Sequence, residues 1–213
     1  IDDWVIGGNP KSPGYVLDYE GTDDFVEFNP VPPILQMGTG EFSIEAWAKA
    51  DAFTGSGSRI FAVGSAVNRY ELYLTANAVV FSIDDNTTKT DCAWANMTDG
   101  NWHHYVAYRD NQADKLFLYV DGIERKNIAN STDLTIDEST TAAIGRLGGS
   151  AGLFWNGLID GVRIYNRALL PSEVLDLYNF PNAMFQFRDR VIGKAPAVAG
   201  VLRRNLTLMG AGK

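Results

Sequence analysis

Short runs of residues that alternate apolar and polar with a period of two, each bounded by turn formers, dominate this chain, and that pattern builds antiparallel strands. In Phe42-Ser-Ile-Glu-Ala-Trp-Ala-Lys49 one face carries Phe42, Ile44, Ala46 and Ala48, and the other Ser43, Glu45, Trp47 and Lys49. Tyr70 to Thr75 alternates likewise, and Val79 to Asp84 is its expected hairpin partner across Ala76-Asn77. His103 to Arg109 and Lys115 to Asp121 form a second pair, followed by Asp121-Gly122, a dipeptide suited to a tight hairpin turn. Further strands are expected at Ala142 to Arg146 and Leu158 to Tyr165. Parallel strands need crossover helices, and the gaps offer none. The one helix expected is Pro171 to Tyr178, with proline at its first position and acids in its early turns. Leu170 would stand at its cap with no polar side chain to offer, so packing of Val174, Leu175 and Tyr178 must hold it. The fold class is therefore all-β, a two-sheet antiparallel sandwich with one short C-terminal helix.

Charge divides the chain near residue 180. Residues 181–213 carry +5, whereas the preceding 180 carry −13. An acidic body repels phosphate and argues against a nucleic-acid partner. The apolar stretch from Val191 to Met209 is broken by Lys194, Pro196, Arg203 and Arg204, so no membrane insertion is expected. Cys92 is alone, which rules out an internal disulfide. Four sequons, at Asn86, Asn96, Asn130 and Asn205, are read as coincidental in a chain rich in Asn and Thr.

Five segments in order carry a resemblance. They are Leu17-Asp-Tyr-Glu-Gly-Thr-Asp-Asp-Phe-Val26, Phe42-Ser-Ile-Glu-Ala-Trp47, Trp102-His-His-Tyr-Val106, Leu118-Tyr-Val-Asp-Gly122, and Gly157-Leu-Ile-Asp-Gly-Val-Arg-Ile-Tyr-Asn-Arg-Ala-Leu169 with the closing helix. Together they resemble the laminin-G-like sandwiches of the concanavalin A-like lectin/glucanase superfamily. The resemblance implies a jelly roll of two large sheets over residues 1–180, leaving 181–213 as a basic, apolar-punctuated extension. It also implies recognition domains that bind glycans or proteins, a range of ligands that the fold alone does not narrow.

Catalysis, metal and ligand sites follow from the residues and that resemblance. Glucanase chemistry needs two carboxylates across a sugar bond. The strands holding Glu45 and Glu71 each offer one, so no catalytic residue is assigned and no enzyme is expected. His103 and His104 are adjacent in a strand, point to opposite faces and cannot share a metal. By resemblance, Asp18, the carbonyl of Gly21 and Asp160 are expected to hold a structural calcium ion, which prefers oxygen ligands. For glycan recognition, aromatic platforms beside hydrogen-bonding groups are needed, and Tyr73, Trp94 and Trp155 with Asn156 are the expected ligand-binding residues, taken to stand in loops.

The function expected is a non-catalytic, lectin-like or adhesion module binding a cell-surface carbohydrate or protein. The alternative is a structural or decoration subunit of a larger particle such as a phage virion, with residues 181–213 docking onto neighbours or making a homo-oligomer. Either places the chain outside the cell, at a cell surface or on a virion.

Overall fold

The computed structural model describes residues 4–6, 9–11, 14–52, 57–95, 99–137, 141–149 and 152–181. The 181–213 extension therefore lies, beyond its first residue, outside the described residues. The strands, in chain order, are β1 (Trp4–Ile6), β2 (Tyr15–Glu20), β3 (Val26–Phe28), β4 (Phe42–Ala50), β5 (Ser58–Val63), β6 (Arg69–Leu74) and β7 (Ala78–Asp84). They continue with β8 (Lys89–Ala95), β9 (His103–Asp110), β10 (Lys115–Val120), β11 (Ile123–Ala129), β12 (Ala142–Ile144) and β13 (Asn156–Tyr165), and the helix α1 (Pro171–Asn179) closes the series. A seven-stranded sheet runs β1-β2-β13-β4-β9-β10-β11 and a six-stranded sheet β3-β12-β5-β6-β7-β8. Neighbouring strands in both sheets are antiparallel, as the hairpins β6–β7 and β9–β10 illustrate.

The alternation seen in the sequence sorts the side chains as expected. Phe42, Ile44, Ala46 and Ala48 of β4 meet Tyr70, Leu72 and Leu74 of β6 in the core between the sheets. Several buried polar groups in and around that core are bonded. The Tyr70 hydroxyl donates to the Leu35 carbonyl at 2.9 Å. Arg109 sends Nε to the Gly40 carbonyl (2.7 Å) and Nη2 to the Gly38 carbonyl (2.9 Å), which ties the loop before β4 to β9. Asp85, at the turn after β7, accepts backbone N–H groups from Thr87 and Thr88 on one oxygen and from Asp133 and Leu134 on the other. Burial alone would raise its pKa, but these donors outweigh burial and hold the carboxyl below the usual range. One side chain thus pins the long segment after β11 to the six-stranded sheet.

The turn between β10 and β11 uses Asp121 and Gly122 with φ of 55° and 75°, the paired left-handed conformation that a two-residue hairpin requires. That turn carries a second fastening. Asp121 Oδ2 lies 2.7 Å from His103 Nδ1, and Asp99 Oδ1 lies 3.0 Å from His103 Nε2. Chiefly because of Asp121, the His103 pKa is raised above its ordinary value.

Two outcomes test this packing. Trp155 is fully buried in the main core. Trp155→Ala is expected to cost about 3–5 kcal/mol in urea unfolding, with Trp155→Phe costing much less because most of the ring volume remains. His103 binds its proton more tightly in the folded state, so its contribution is complete below about pH 6.5, the unfolded value. It is lost as pH rises through the higher folded value. The melting temperature of the native chain is expected to fall over that window, and His103→Gln to flatten the fall.

Candidate functional site

The outward face of the seven-stranded sheet is where the sequence holds an unread layer. The residues of β4 that point away from the core, Ser43, Glu45 and Trp47, are themselves buried. The register sets Ser43 beside Tyr165 and Tyr108, Glu45 beside Arg163 and Val106, and Trp47 beside Asp160 and His104. Glu45 Oε1 accepts from Arg163 Nη1 at 2.7 Å and lies 3.2 Å from His104 Nε2, while Oε2 accepts from the Tyr165 hydroxyl at 2.7 Å. Burial pushes the Glu45 pKa up, yet His104, Arg163 and Tyr165 together hold it below the ordinary glutamate value.

Helix α1 covers this part of the face. Val174 and the preceding Leu169 pack on Val106, Tyr108 and Tyr119 in a second, smaller core. Ser43 Oγ donates to the Arg167 carbonyl (2.7 Å) and accepts from the Leu169 N–H (3.1 Å), and Arg163 Nη2 reaches the Pro181 carbonyl (2.6 Å). Tyr178 stacks on Trp47 with ring centroids 5.8 Å apart. The cap of α1 follows from its sequence. Leu170 has no side-chain acceptor, and Glu173 instead reaches back to the Leu170 N–H at 2.9 Å.

Where α1 begins, its cover ends, and a cavity of about 300 Å³ opens over β9, β10 and β11. Its lining is Tyr108, Phe117 and Tyr119, the acids Glu41, Asp110 and Glu124, Gln112, and the apolar edge Ala168 to Pro171. The aromatic wall is a stack: Tyr108 lies 4.8 Å from Phe117 at 20°, and 5.8 Å from Tyr119 at 24°. Pairing of Tyr108 with Phe117 across β9 and β10 creates it, since directly opposed residues share a face. The Tyr108 hydroxyl donates to that of Tyr119 (3.4 Å), which donates to Glu124 Oε2 (3.0 Å). Burial raises the pKa of both tyrosines, so both hydroxyls stay protonated and committed to this chain. The volume falls at the lower end of the range for ligand pockets, about 300–1,000 Å³. An aromatic wall with acceptors at its rim can stack a flat apolar ring face and take hydrogen bonds from the ring's edge.

The residues expected to bind ligand lie apart from one another and from this cavity. Trp155 is not a loop platform. Its ring is fully buried in the core, and its backbone N–H donates to the Gly145 carbonyl. Trp94 lies in β8 rather than a loop, half-buried against the core, with the Arg125 guanidinium 4.7 Å from its ring. Tyr73 belongs to β6 and is buried on the outward face of the six-stranded sheet, 4.5 Å beneath Arg59. Asn156 opens β13, and its amide donates to the Glu20 carbonyl at 3.2 Å. Glu71, next to Tyr73, is buried and accepts from Arg59 Nε at 2.9 Å, with Arg69 Nε at 3.4 Å. Like Glu45, it is closed to substrate.

The calcium set is also dispersed. Asp18 pairs with Leu158, and Asp160 lies two residues further along the same face. Gly21 packs against Asn156, the first residue of β13, four positions from Asp160 or roughly 13 Å at about 3.3 Å per residue. Asp160 Oδ2 instead accepts the Asn9 amide at 3.1 Å. Among the described residues, no group of three or more His, Cys, Asp or Glu side chains is placed to hold a metal ion.

The aromatic stack was within reach of sequence reasoning. Phe117 and Tyr119 are two apart in one strand, and Tyr108 belongs to the partner strand. Their common outward face follows from the hairpin register. Glu41 and the Ala168 to Pro171 edge come from distant parts of the chain and carry no such signal.

A family model described as the concanavalin A-like lectin/glucanases superfamily, of laminin G type, matches residues 20–175. The chain belongs to that family, and its two-sheet antiparallel architecture is that of the superfamily's jelly-roll sandwich. No curated protein sequence matches. Among solved structures, domain 4 of AbnA, a GH43 extracellular arabinanase from Geobacillus stearothermophilus, in complex with arabinotriose, is 22% identical with a TM-score of 0.63, covering 82% of this chain and 80% of that one. The Ruminococcus gnavus IT-sialidase CBM40 bound to alpha2,3 sialyllactose is 14% identical with a TM-score of 0.54, covering 72% and 98%. Domains LG4-5 of the mouse laminin alpha1 chain are 16% identical with a TM-score of 0.54, covering 72% of this chain and 43% of that chain. At these identities the likeness is one of fold.

With Gly21 beside Asn156 and the Asp160 carboxylate already accepting the Asn9 amide, a chelator is expected to leave the melting temperature unchanged. A fall reversed by added Ca²⁺ would place a structural ion in the sandwich after all.

Proposed function

We propose that this chain is a non-catalytic recognition module, spanning residues 1–180, that binds carbohydrate in the cavity beside the start of α1. The observation that carries this reading is the half-buried Phe117 at the edge of the Tyr108–Phe117–Tyr119 stack, framed by Glu41, Asp110, Gln112 and Glu124. An aromatic wall in a ligand-sized cavity, with a few polar groups around it, is the physical form of a small-molecule site. Similar folds support the reading: one neighbour is in complex with arabinotriose and another is bound to sialyllactose. The burial of Glu45 and Glu71 in ion pairs supports a module without glycosidase chemistry, since neither has an approach to a sugar bond.

An extracellular or surface-associated place fits a carbohydrate ligand and the extracellular arabinanase likeness. Among the described residues no helix is long and apolar enough to cross a membrane. The particle-subunit alternative rests on residues 182–213, outside the described residues, and gains no support from the similar structures.

A glycan array and titration calorimetry test the reading. Saturable binding of a defined oligosaccharide class is expected. Phe117→Ala, at a half-buried position, should weaken that binding about tenfold, the equivalent of roughly 1.4 kcal/mol for a lost stacking contact. A blank array would remove carbohydrate recognition, and full affinity in Phe117→Ala would move the site elsewhere.

A further inference from the structure

The charge and hydrogen-bond inventory of the cavity deepens the reading just given, on which it rests. Three carboxylates line it, and no lysine, arginine or histidine does. Donors are nearly absent as well. The Tyr108 and Tyr119 hydroxyl protons are spent in the chain that ends on Glu124, which leaves the Gln112 amide as the one side-chain donor of the lining still uncommitted.

The acceptors are not all used. Glu124 is occupied on both oxygens, by Tyr119 (3.0 Å) and by the Asn127 amide (2.6 Å). Glu41 receives one long bond on Oε1, from the Asn111 N–H at 3.3 Å, and Asp110 accepts the Gln112 and Ala113 N–H groups on Oδ1 at 2.9 Å each. Oε2 of Glu41 and Oδ2 of Asp110 therefore have no hydrogen-bond partner among the described residues. Lys115 stands opposite Asp110 in the register, but it makes no ion pair among the described residues and does not line the cavity. Arg167, in the segment before α1, is held in a two-pronged bridge to Glu173 and does not line the cavity.

We propose that the cavity selects saccharides bearing a free, protonated amine over their neutral and anionic counterparts. An ammonium group brings the N–H donors that the lining lacks and the charge that Glu41 and Asp110 leave unpaired. The face of the half-buried Phe117 attracts the same cation through its quadrupole while stacking on the sugar ring. A carboxylated sugar meets the reverse of every one of these terms and finds no base to receive it.

Three trisaccharide probes of equal length separate the possibilities on the full chain: a glucosamine trimer, its N-acetylated form and a uronic acid trimer. The free-amine trimer is expected to bind at least tenfold more tightly than the N-acetylated one, with the uronate unbound. The double variant Glu41→Gln/Asp110→Asn keeps the turn acceptor of Asp110 and should bring the free-amine and N-acetylated affinities to within about twofold of each other. Asp133→Asn, an exposed acid that is not among the lining residues, should leave the preference intact, which distinguishes the site from diffuse attraction to an acidic protein. Equal or tighter binding of the N-acetylated or uronate probe, sensitive to Phe117→Ala, would overturn the amine selectivity and keep carbohydrate recognition. A lysine tripeptide that bound as tightly as the glucosamine trimer and with the same sensitivity would overturn the saccharide half of the proposal. Silence of all three sugars, with a blank array, would overturn both this inference and the function it rests on.

Discussion

A carboxylate buried on the outward face of a central strand governs how this sandwich is organised. An ionised glutamate removed from water is tolerated only when opposite charge and hydrogen bonds surround it. Glu45 finds them on both neighbouring strands, from His104 of β9 and from Arg163 and Tyr165 of β13. A slip of either strand by one residue would turn these partners into the apolar core and strand the charge, because side chains alternate between faces. The bulge in β13 between Asp160 and Arg163 is part of the same solution, since it brings Arg163 opposite Glu45 while Asp160 stays opposite Trp47. The ion cluster thus specifies register as well as contributing energy.

Covering the cluster is the task of α1, and its limited length determines where a ligand can bind. Nine residues at about 1.5 Å each span roughly 13 Å. The helix seals β13, β4 and part of β9 through Val174, Tyr178 and the Ser43 clasp. Beyond its first turn the same sheet face continues over β10 and β11 without cover. There the outward positions are filled by Phe117 and Tyr119, whose rings would be costly to leave wholly in water and instead stack against Tyr108. The six-stranded sheet solves its own buried acid locally. Glu71 is neutralised by Arg59 and Arg69, and Tyr73 is held beneath Arg59, which spends that face's polar groups on one another.

How far the sequence could be read follows from these facts. Alternation separated the core face of β4 from its outward face, and located the β6–β7 and β9–β10 hairpins and the Asp121-Gly122 turn, because period and turn chemistry are local properties. It could not reveal that the outward face of β4 is buried too, since the cover is supplied by residues more than 120 positions away. Trp155 was misplaced for a similar reason. It stands in an irregular stretch with no alternation to orient it, and only its tertiary position under the sandwich, bonded to Gly145, makes it core. Strands β8 and β11 escaped notice because Lys, Asp, Glu and Arg dilute their apolar alternation. That Asp18 and Asp160 share a face of neighbouring strands, with Gly21 offset beside Asn156, is a matter of register that spacing along the chain does not encode.

Electrostatics at long and short range act in the same direction at the cavity. The first 180 residues carry −13, so an approaching anion is opposed before it arrives, and an approaching cation is drawn in over about a Debye length, some 8 Å at physiological salt. Within the cavity the local arrangement takes over. Arg59, Arg109 and Arg163 are matched to carboxylates or carbonyls, whereas Glu41 and Asp110 in the cavity each keep one carboxylate oxygen open. A fold that satisfies its buried charges so thoroughly leaves unpaired ones where water, or a ligand replacing water, can reach them. Exposure of the stack edge and incompleteness of the Glu41 and Asp110 hydrogen bonding therefore have one cause, the end of α1's cover, and they coincide in space because of it.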